Sequence, residues 1–489
     1  MLEKYLKFLK GTSHTNSVKE TAKPANAPSN GSSKDRAPQL PPLTPSASSH
    51  ANKVVDTQDT SPEAVVTSVM EIETHGERNR AGEMLQRFLG HQPILDDSNR
   101  IIGYELKLRN KNPLPSSPAS ETIQAMQDEM LMVSVIDLDF QNALGNKLTF
   151  INLSPTTLYN PMIDQLPKQK VAVAIHLEPE PAAHLFERCR ELAGQGIPLA
   201  LEDFEYRPEY DPFIKLSKYI RIDTTQYDAL ALSDQVGKIL KTGFPLLIAK
   251  NVETNDAFEA YRNLSFSCFQ GFYFTQLLPA EPQRLDSNRL RVMEMLNMVM
   301  NHAEIKALED KVKLDATLSF KLLKYINCPA NGLQQTINSI GHALVILGYD
   351  QLYRWLTLLL FTAGKPDERC RALLKNALIR ARFTETLGKS KLPDTEHGGL
   401  FIVGIFSVLD ALLNIPMEQA VSHLRLPQPV IDALARREGI YAPYLQLALA
   451  CEDFDQDSIA SYAAVCGLSA DEVNIAHVKA LIWAEELES

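Results

Sequence analysis

The sequence has few cysteines, and none of them is placed for metal binding. Six cysteines are scattered through 489 residues, without a CxxC pair and without a histidine and cysteine at zinc-ligand spacing. This pattern argues against a zinc site. It favours buried free thiols in a reducing cytoplasm, where we expect the protein to be located.

Long apolar runs and an excess of positive charge are missing as well. No apolar run approaches the roughly 18 residues that a transmembrane helix needs, and the N-terminus lacks the apolar core of a signal peptide. The formal net charge of -11 argues against a nucleic-acid polymer as the main partner. What the chain does have is length and 45% hydrophobic residues, enough for two or three domains with cores of their own.

Residues 1–84 are expected to form a mostly disordered extension that contains short helices. The segment from Gly11 to about Thr60 is rich in Ser, Thr, Pro, Ala and Asn, so it buries too little surface to offset the entropy of ordering. Residues 1–10, MLEKYLKFLK, carry apolar side chains at helical spacing among lysines. They are consistent with a short helix that frays on its own, or with one that contacts a partner or a membrane surface.

Residues 85–285 alternate strand-like apolar runs with amphipathic helical segments. The first two runs, Gln92 to Leu95 and Ile101 to Arg109, flank a turn and indicate a hairpin. The later runs repeat as βα units, which implies a parallel sheet. Their number fits a closed α/β barrel of the TIM type better than an open sheet.

Polar residues fall late in these runs or directly after them. In a parallel barrel the C-terminal ends of the strands gather at one mouth, so we expect these side chains to meet there. Carboxylates with an amide suit hard divalent cations such as Mg²⁺. In the alternative interpretation each residue is a strand-end cap or a surface acid. The residues are Glu105, Asn152, Glu178, Asp203, Asp223, Glu253 and Gln270.

Six segments of this region resemble, in the expected order, the EAL domain family of barrel phosphodiesterases that hydrolyse cyclic di-GMP. They are HQPILDDSNRIIGYELKLR, FINLSP, LALEDF, YIRID, AKNVET and CFQGFYF, and they run from His91 to about Pro279. The resemblance implies a nucleotide pocket formed by Arg109, Arg221, Asp223 and Gln270. It also implies metal ligands at Glu105, Asn152, Glu202, Asp203 and Glu253.

The sequence departs from the EAL pattern at positions that hydrolysis needs. Ile175 stands where the family has a metal-binding glutamate, although Glu178 follows three residues later. Arg221 replaces the lysine that would help activate the attacking water, and Lys250 replaces a metal-site glutamate. Metal-assisted hydrolysis requires a correctly placed cation that lowers the pKa of water. We therefore expect no intact catalytic set and no cofactor, with Mg²⁺ relevant only to residual activity.

The charge balance at the predicted mouth leads to a hypothesis about Lys250. Relative to the family pattern, Ile175 and Lys250 together shift the charge by about three units, against the two carried by Mg²⁺. Lys250 would then substitute electrostatically for the lost metal; alternatively, it points to solvent. The segment EYRP after Phe204 also replaces the glycine-rich loop of active relatives, so we expect no tight binding of cyclic di-GMP.

Residues 286–489 carry apolar side chains at helical spacing and predict an all-helical domain. The passage DATLSFKLLKYINCPANGLQQTINSIGHALVILGYDQLYRWLTLLL resembles the HDOD domain, a helical relative of HD phosphohydrolases that lacks their metal site, and the match continues to the C-terminus. A working HD hydrolase would need an adjacent His-Asp pair, and no histidine of this region is followed by aspartate.

The two resemblances together indicate a bacterial EAL-HDOD signalling protein and leave three hypotheses for its function. The first is a non-enzymatic adaptor that binds other signalling proteins through the HDOD domain. The second is a residual cyclic di-GMP phosphodiesterase that tolerates the substitutions at Ile175 and Lys250. The third is a cyclic di-GMP receptor that binds the nucleotide without cutting it.

Overall fold

The computed structural model describes residues 88–108, 118–137, 146–278, 286–328, 335–364 and 367–487, without the side chains of residues 118–120. Three predictions fall outside these ranges. They are the disordered extension over residues 1–84, the contact of residues 1–10 with a membrane, and the role of Arg109 in binding a nucleotide.

Eight strands close into a barrel in the order of the sequence. Strands β2 to β8 pair in parallel, whereas β1 is antiparallel to both β2 and β8. The predicted α/β barrel is therefore confirmed, and its first two strands form the predicted hairpin. The strands are β1 Gly90–Asp96, β2 Ile101–Lys107, β3 Leu148–Leu153, β4 Val171–Ile175, β5 Leu199–Leu201, β6 Tyr219–Asp223, β7 Leu246–Lys250 and β8 Cys268–Gln270.

Helices on the outside of the barrel follow β2, β4, β5, β6 and β7, whereas two short 3-10 helices, Thr157–Tyr159 and Pro161–Gln165, connect β3 to β4. Side chains on the outer face of each strand pack against these helices in one large core that continues into the helical domain. The described helices of the barrel are α1 Pro118–Asp137, α2 Ala183–Gly194, α3 Asp211–Leu216, α4 Ala229–Thr242 and α5 Asn255–Asn263.

A second, smaller core fills the inside of the barrel. Successive side chains of a strand point to opposite faces, so a residue two positions beyond an interior residue also points inwards, nearer the mouth. Counting two residues from each member of the interior core towards the mouth therefore identifies the side chains that line it. It consists of Ile94, Phe150, Ala172, Ala174, Ala200, Tyr219, Ile248 and Cys268.

The rest of the described chain is helical, as the apolar spacing predicts. Its first helix begins at Ser287 and is capped by the side chain of Asp286, which accepts from two backbone amides of the first turn. The helices are α6 Ser287–Met300, α7 Ile305–Lys313, α8 Ala316–Ile326, α9 Ile340–Thr362, α10 Glu368–Gly388, α11 His397–Phe406, α12 Leu409–Leu413, α13 Met417–Ser422, α14 Gln428–Ile431, α15 Ala442–Asp453, α16 Gln456–Val465 and α17 Ala470–Glu486.

Within the described residues, helix α9 is long and apolar enough to cross a membrane by length and composition. However, 56% of its apolar window is buried inside the protein. Gly348 also interrupts the helix with a φ of 67°, so neither part reaches the roughly 20 residues that a span needs. A role in the core of the helical domain accounts for its composition.

Close contacts join the barrel to helices α15 and α17. A Cβ at Gly90 would lie 2.5 Å from the carbonyl oxygen of Cys451, so glycine permits this close approach. The buried carboxylate of Glu485 accepts from the Tyr104 hydroxyl at 3.0 Å and pairs with Lys147 at 2.9 Å. Because Glu485 lies on α17, these contacts hold the helical domain against the barrel.

Candidate functional site

The mouth of the barrel contains a buried cluster of charged and amide side chains. Five of its six members lie two positions from a residue of the interior core, on the same face of the strand or of the chain that directly follows it. Glu105 pairs in register with Gln92 on one side and with Phe150 on the other, which places it at the same level. The members are Gln92, Glu105, Glu202, Arg221, Lys250 and Gln270, and all are buried.

Arg221 is the centre of this cluster. Its side chain is 0% exposed, and its guanidinium pairs with Glu105 at 2.8 Å and with Glu202 at 2.6 Å. It also donates a hydrogen bond of 2.7 Å to the side-chain oxygen of Gln270, and it lies 5.8 Å from the ring centre of Phe150. The guanidinium is thus buried among protein groups, and the role of Arg221 in a nucleotide pocket stays a prediction.

Lys250 lies beside Arg221 and faces the acidic pair. Its ammonium contacts one carboxylate oxygen of Glu202, and it donates to the carboxylate of Asp203 at 2.5 Å. The Lys250 side chain is only 10% exposed, whereas that of Asp203 is 47% exposed. The alternative interpretation, in which Lys250 points into solvent, is therefore wrong. Its electrostatic replacement of a metal stays a prediction.

Gln270 closes the cluster on the other side. Its side-chain amide donates to Gln92 at 2.7 Å and to Glu105 at 2.5 Å. The next residue, Gly271, has a φ of 145°, and a Cβ there would lie 2.2 Å from the carbonyl oxygen of Val252. Only glycine fits this position, so the QG dipeptide aims Gln270 inwards. Sequence reasoning missed Gln92, although its spacing of two from Ile94 could have placed it.

The charges of this cluster stabilise one another. Burial by itself would raise the pKa of Glu105, but Arg221, Lys107 and Lys250 outweigh it and hold this pKa well below its usual range. Burial would lower the pKa of Lys250, yet the adjacent carboxylate of Glu202 raises it above its ordinary value. The pKa of Arg221 is likewise raised, because Glu105 and Glu202 outweigh its burial. These three groups are therefore charged at neutral pH.

We expect the contribution of Glu105 to stability to vanish in acid. Because its pKa is lower in the folded state than the ordinary 4.5, the stabilisation is complete above that value and is lost as pH falls through the folded pKa. Urea unfolding of the native chain and of Glu105→Gln at several pH values measures this. The deficit of the variant should be largest near pH 7 and should shrink below about pH 4.5. An equal deficit at every pH would contradict the assignment.

The prediction that Ile175 occupies the metal-ligand position is wrong. Ile175 pairs with Leu153 and Leu201 and belongs to the outer core. Its neighbour Ala174 pairs with Asn152 and is the residue of β4 that faces the interior. A shift of one residue moves a side chain to the opposite face of a sheet, and the motif match did not fix that parity. Strand β4 still contributes no carboxylate to the mouth, because Ala174 occupies the inward-facing position.

Three further predicted site residues lie outside the buried cluster. Asp223 caps the turn that follows β6: its carboxylate accepts from Thr225 and, at 2.8 Å, from the side-chain amide of Asn251. Burial opposes ionisation of Asp223, but these hydrogen bonds lower its pKa. Glu178 and Glu253 are exposed. Both match the surface or capping alternative better than a shared site.

Asn152 lies partly buried on β3 and shares the interior face with Ala174. It is therefore at the mouth, as predicted, although no metal ligand accompanies it on β4.

The residues at the mouth do not fit the pair of metal ions that the EAL resemblance implies. Glu105, Glu202 and Asp203 direct carboxylate oxygens at a guanidinium and an ammonium, which occupy the positions that a cation would need. Within the described ranges, no group of three histidine, cysteine, aspartate or glutamate side chains is arranged to hold a metal ion. To bind here, a metal ion would have to displace the Lys250 ammonium from its contacts with the carboxylates of Glu202 and Asp203.

Comparison with known proteins supports the two-domain organisation. Residues 284–414 match the HDOD domain family, which confirms the resemblance there; the residues after 414 lie outside the match. Cyclic di-GMP phosphodiesterase CdgJ of Vibrio cholerae is 27% identical over 411 residues, covering 83% of this chain and 94% of that protein. The uncharacterised protein YuxH of Bacillus subtilis is 26% identical over 410 residues, covering 82% and 98%.

Solved structures of EAL domains are also similar to part of the chain. An EAL domain protein from Listeria monocytogenes is 19% identical, with a TM-score of 0.32, and the match covers 41% of this chain and 92% of that one. The Klebsiella pneumoniae protein BlrP1, in a complex with calcium and cyclic di-GMP, is 20% identical, with a TM-score of 0.31 and coverage of 39% and 55%. The chain joins an eight-stranded barrel to a helical region that matches the HDOD family.

Proposed function

We propose that this chain, which has the EAL-HDOD architecture, is a non-enzymatic signal-transduction adaptor acting in or beside cyclic di-GMP signalling. In this proposal the barrel is a degenerate phosphodiesterase, and the HDOD domain contacts other signalling proteins. The six cysteines are all unpaired, which fits a reducing cytoplasm.

The pairing of Arg221 and Lys250 with the carboxylates of the mouth carries this proposal. Two metal ions would bring four positive charges into a site that already holds two fixed cations beside Glu105, Glu202 and Asp203. Without a bound cation, none of the described groups at the mouth lowers the pKa of a water enough to make it a nucleophile at neutral pH. The buried guanidinium is fixed by Glu105, Glu202 and Gln270, so it is not free to move towards a substrate.

One observation favours a second candidate function. CdgJ, which matches this chain over most of its length, is named a cyclic di-GMP phosphodiesterase. A residual phosphodiesterase would require the mouth to open, so that Lys250 leaves Glu202 and Asp203 and metal ions replace it. A receptor would bind the nucleotide without that exchange.

Calorimetry with the purified chain, cyclic di-GMP and Mg²⁺, followed by chromatography of the nucleotides, distinguishes the three functions. The adaptor gives no heat of binding and no product. A receptor gives heat and leaves cyclic di-GMP intact, and a phosphodiesterase gives the linear dinucleotide. Where heat is seen, Arg109→Ala tests the predicted nucleotide pocket, because loss of that heat would place binding at the barrel.

A further inference from the structure

An apolar groove lies between helix α1 of the barrel and helix α17 of the helical domain. It encloses about 320 Å³ and is lined mainly by apolar side chains from both domains. Large apolar side chains at such a position are unusual for the free surface of a protein, where continuous apolar patches mark binding sites. The apolar lining consists of Leu89, Leu108, Met130, Val133, Ile475 and Val478.

The groove has the spacing that a third helix would fit. On α1, Met126, Met130 and Val133 follow one another at intervals of four and three residues and are 38–44% exposed. On α17, Ile475 is 50% exposed and lies three residues from Val478. Residues at these intervals share one face of a helix, so each of the two helices presents an apolar ridge at the groove.

The groove is also acidic. Glu129 and Asp471 are the charged residues among its described lining, and no described lysine or arginine contributes to it. A ligand with an apolar face and basic flanks is therefore complementary to it, as in the binding of amphipathic helices to grooves. Because both carboxylates are exposed, such a contact would weaken as the salt concentration rises.

We propose that residues 1–10 of this chain dock in the groove as an amphipathic helix. The sequence of this segment places Leu2, Tyr5, Leu6 and Leu9 at i, i+3, i+4 and i+7, the anchor spacing of a helix in a groove. The segment has three lysines against one glutamate, which complements Glu129 and Asp471. From Leu2 to Leu9 a helix rises about 10 Å, the same as from Met126 to Val133.

The chain that connects this segment to the groove is long enough. The described structure begins at Phe88, and the backbone amides of Phe88 and Leu89 are held by Gln456 and Asn474. Leu89 itself lines the groove, so the described chain begins at this surface. Residues 11–87 number 77, and a flexible coil of that length spans on the order of 50 Å, which is ample for return to the groove. A tethered segment of this kind acts at an effective concentration of about a millimolar.

Docking here would tie α1 of the barrel to α17 of the helical domain. A partner that captures the segment would release this contact. This inference does not depend on whether the barrel hydrolyses cyclic di-GMP, because the groove and the buried cluster at the mouth share no residue.

The test uses the full chain and a fluorescein-labelled peptide of residues 1–12, followed by fluorescence anisotropy. In the variant Leu6→Asp/Leu9→Asp the chain's own segment is disabled, and the peptide should bind. The native chain should bind it at least about tenfold more weakly, because its own segment competes. Adding Ile475→Asp to the double variant should weaken peptide binding about tenfold or more, since a carboxylate then lies on the apolar ridge.

Leu314→Asp in the same double variant is the matched control, because Leu314 is 84% exposed and lies outside the groove. It should leave peptide binding unchanged, and circular dichroism should give the same melting temperature for both Asp variants. Absence of peptide binding, or equal binding with Ile475→Asp, would overturn the proposal. So would binding of the peptide to anionic phosphatidylglycerol vesicles but not to the protein. A peptide of residues 77–87 that alone occupies the groove, or a dimer that Ile475→Asp dissociates, would assign the groove to another occupant.

Discussion

Replacing Arg221 by methionine should lower the free energy of unfolding by about 3–5 kcal/mol at neutral pH. The substitution keeps an unbranched apolar stem but removes the guanidinium between Glu105 and Glu202, both of which are buried. Two carboxylates would then face each other without their shared counter-charge, and Gln270 would lose the donor to its side-chain oxygen. Leaving buried charge uncompensated is one of the costliest changes that a point mutation makes.

Chemical denaturation with urea measures this loss. The matched control is Arg190→Met, which removes an arginine that pairs with Glu187 at a position where the two side chains are 64% and 57% exposed. That variant should differ from the native chain by less than about 1 kcal/mol. If Arg221→Met were as stable as Arg190→Met, Arg221 would not be the counter-charge of the mouth.

Replacing Lys250 by methionine should cost about 2–4 kcal/mol at pH 7, somewhat less than the Arg221 variant. Lys250 contacts Glu202 and Asp203, but Asp203 is half-exposed and can be hydrated, and Glu202 keeps its contact with Arg221.

Lys238→Met is the control for Lys250, since Lys238 pairs with Asp234 across four residues of an exposed helix face. Its effect should stay near the few tenths of a kcal/mol of such surface pairs. A double-mutant cycle with Glu202→Gln then isolates the contact, and the two substitutions should be strongly non-additive. A Lys250→Met chain with native stability at pH 7 would remove the hypothesis that this ammonium stands in for a metal.

The sequence predicts the barrel well because its strands carry their own signature. Short apolar runs that end in carboxylates, as at Glu202 and Asp223, indicate strands buried on both faces that open into a site. The hairpin before them was equally visible, because polar turn residues separate its two runs. The short helix Asp211–Leu216 was missed, since six residues are too few for a periodic pattern.

The partners of the mouth residues could not be predicted with the same success. A motif match aligns residues along the chain but does not say which face of a strand each one occupies, and this is why Ile175 was chosen instead of Ala174. Arg221 was expected to meet a phosphate, because an arginine in a pocket motif suits that role. Its burial depends on Glu105 and Gln270, which are remote in sequence, and only the closed barrel brings them within hydrogen-bond distance.

Binding of Mn²⁺ to the native chain tests the central claim most directly, because that claim is that the two fixed cations of the mouth exclude metal ions. Electron paramagnetic resonance reports free Mn²⁺ during a titration of the full chain at neutral pH. The account predicts a free-ion signal that rises as it does in buffer, with no tight site. Uptake of two Mn²⁺ per chain, with formation of the linear dinucleotide from added cyclic di-GMP, would contradict it.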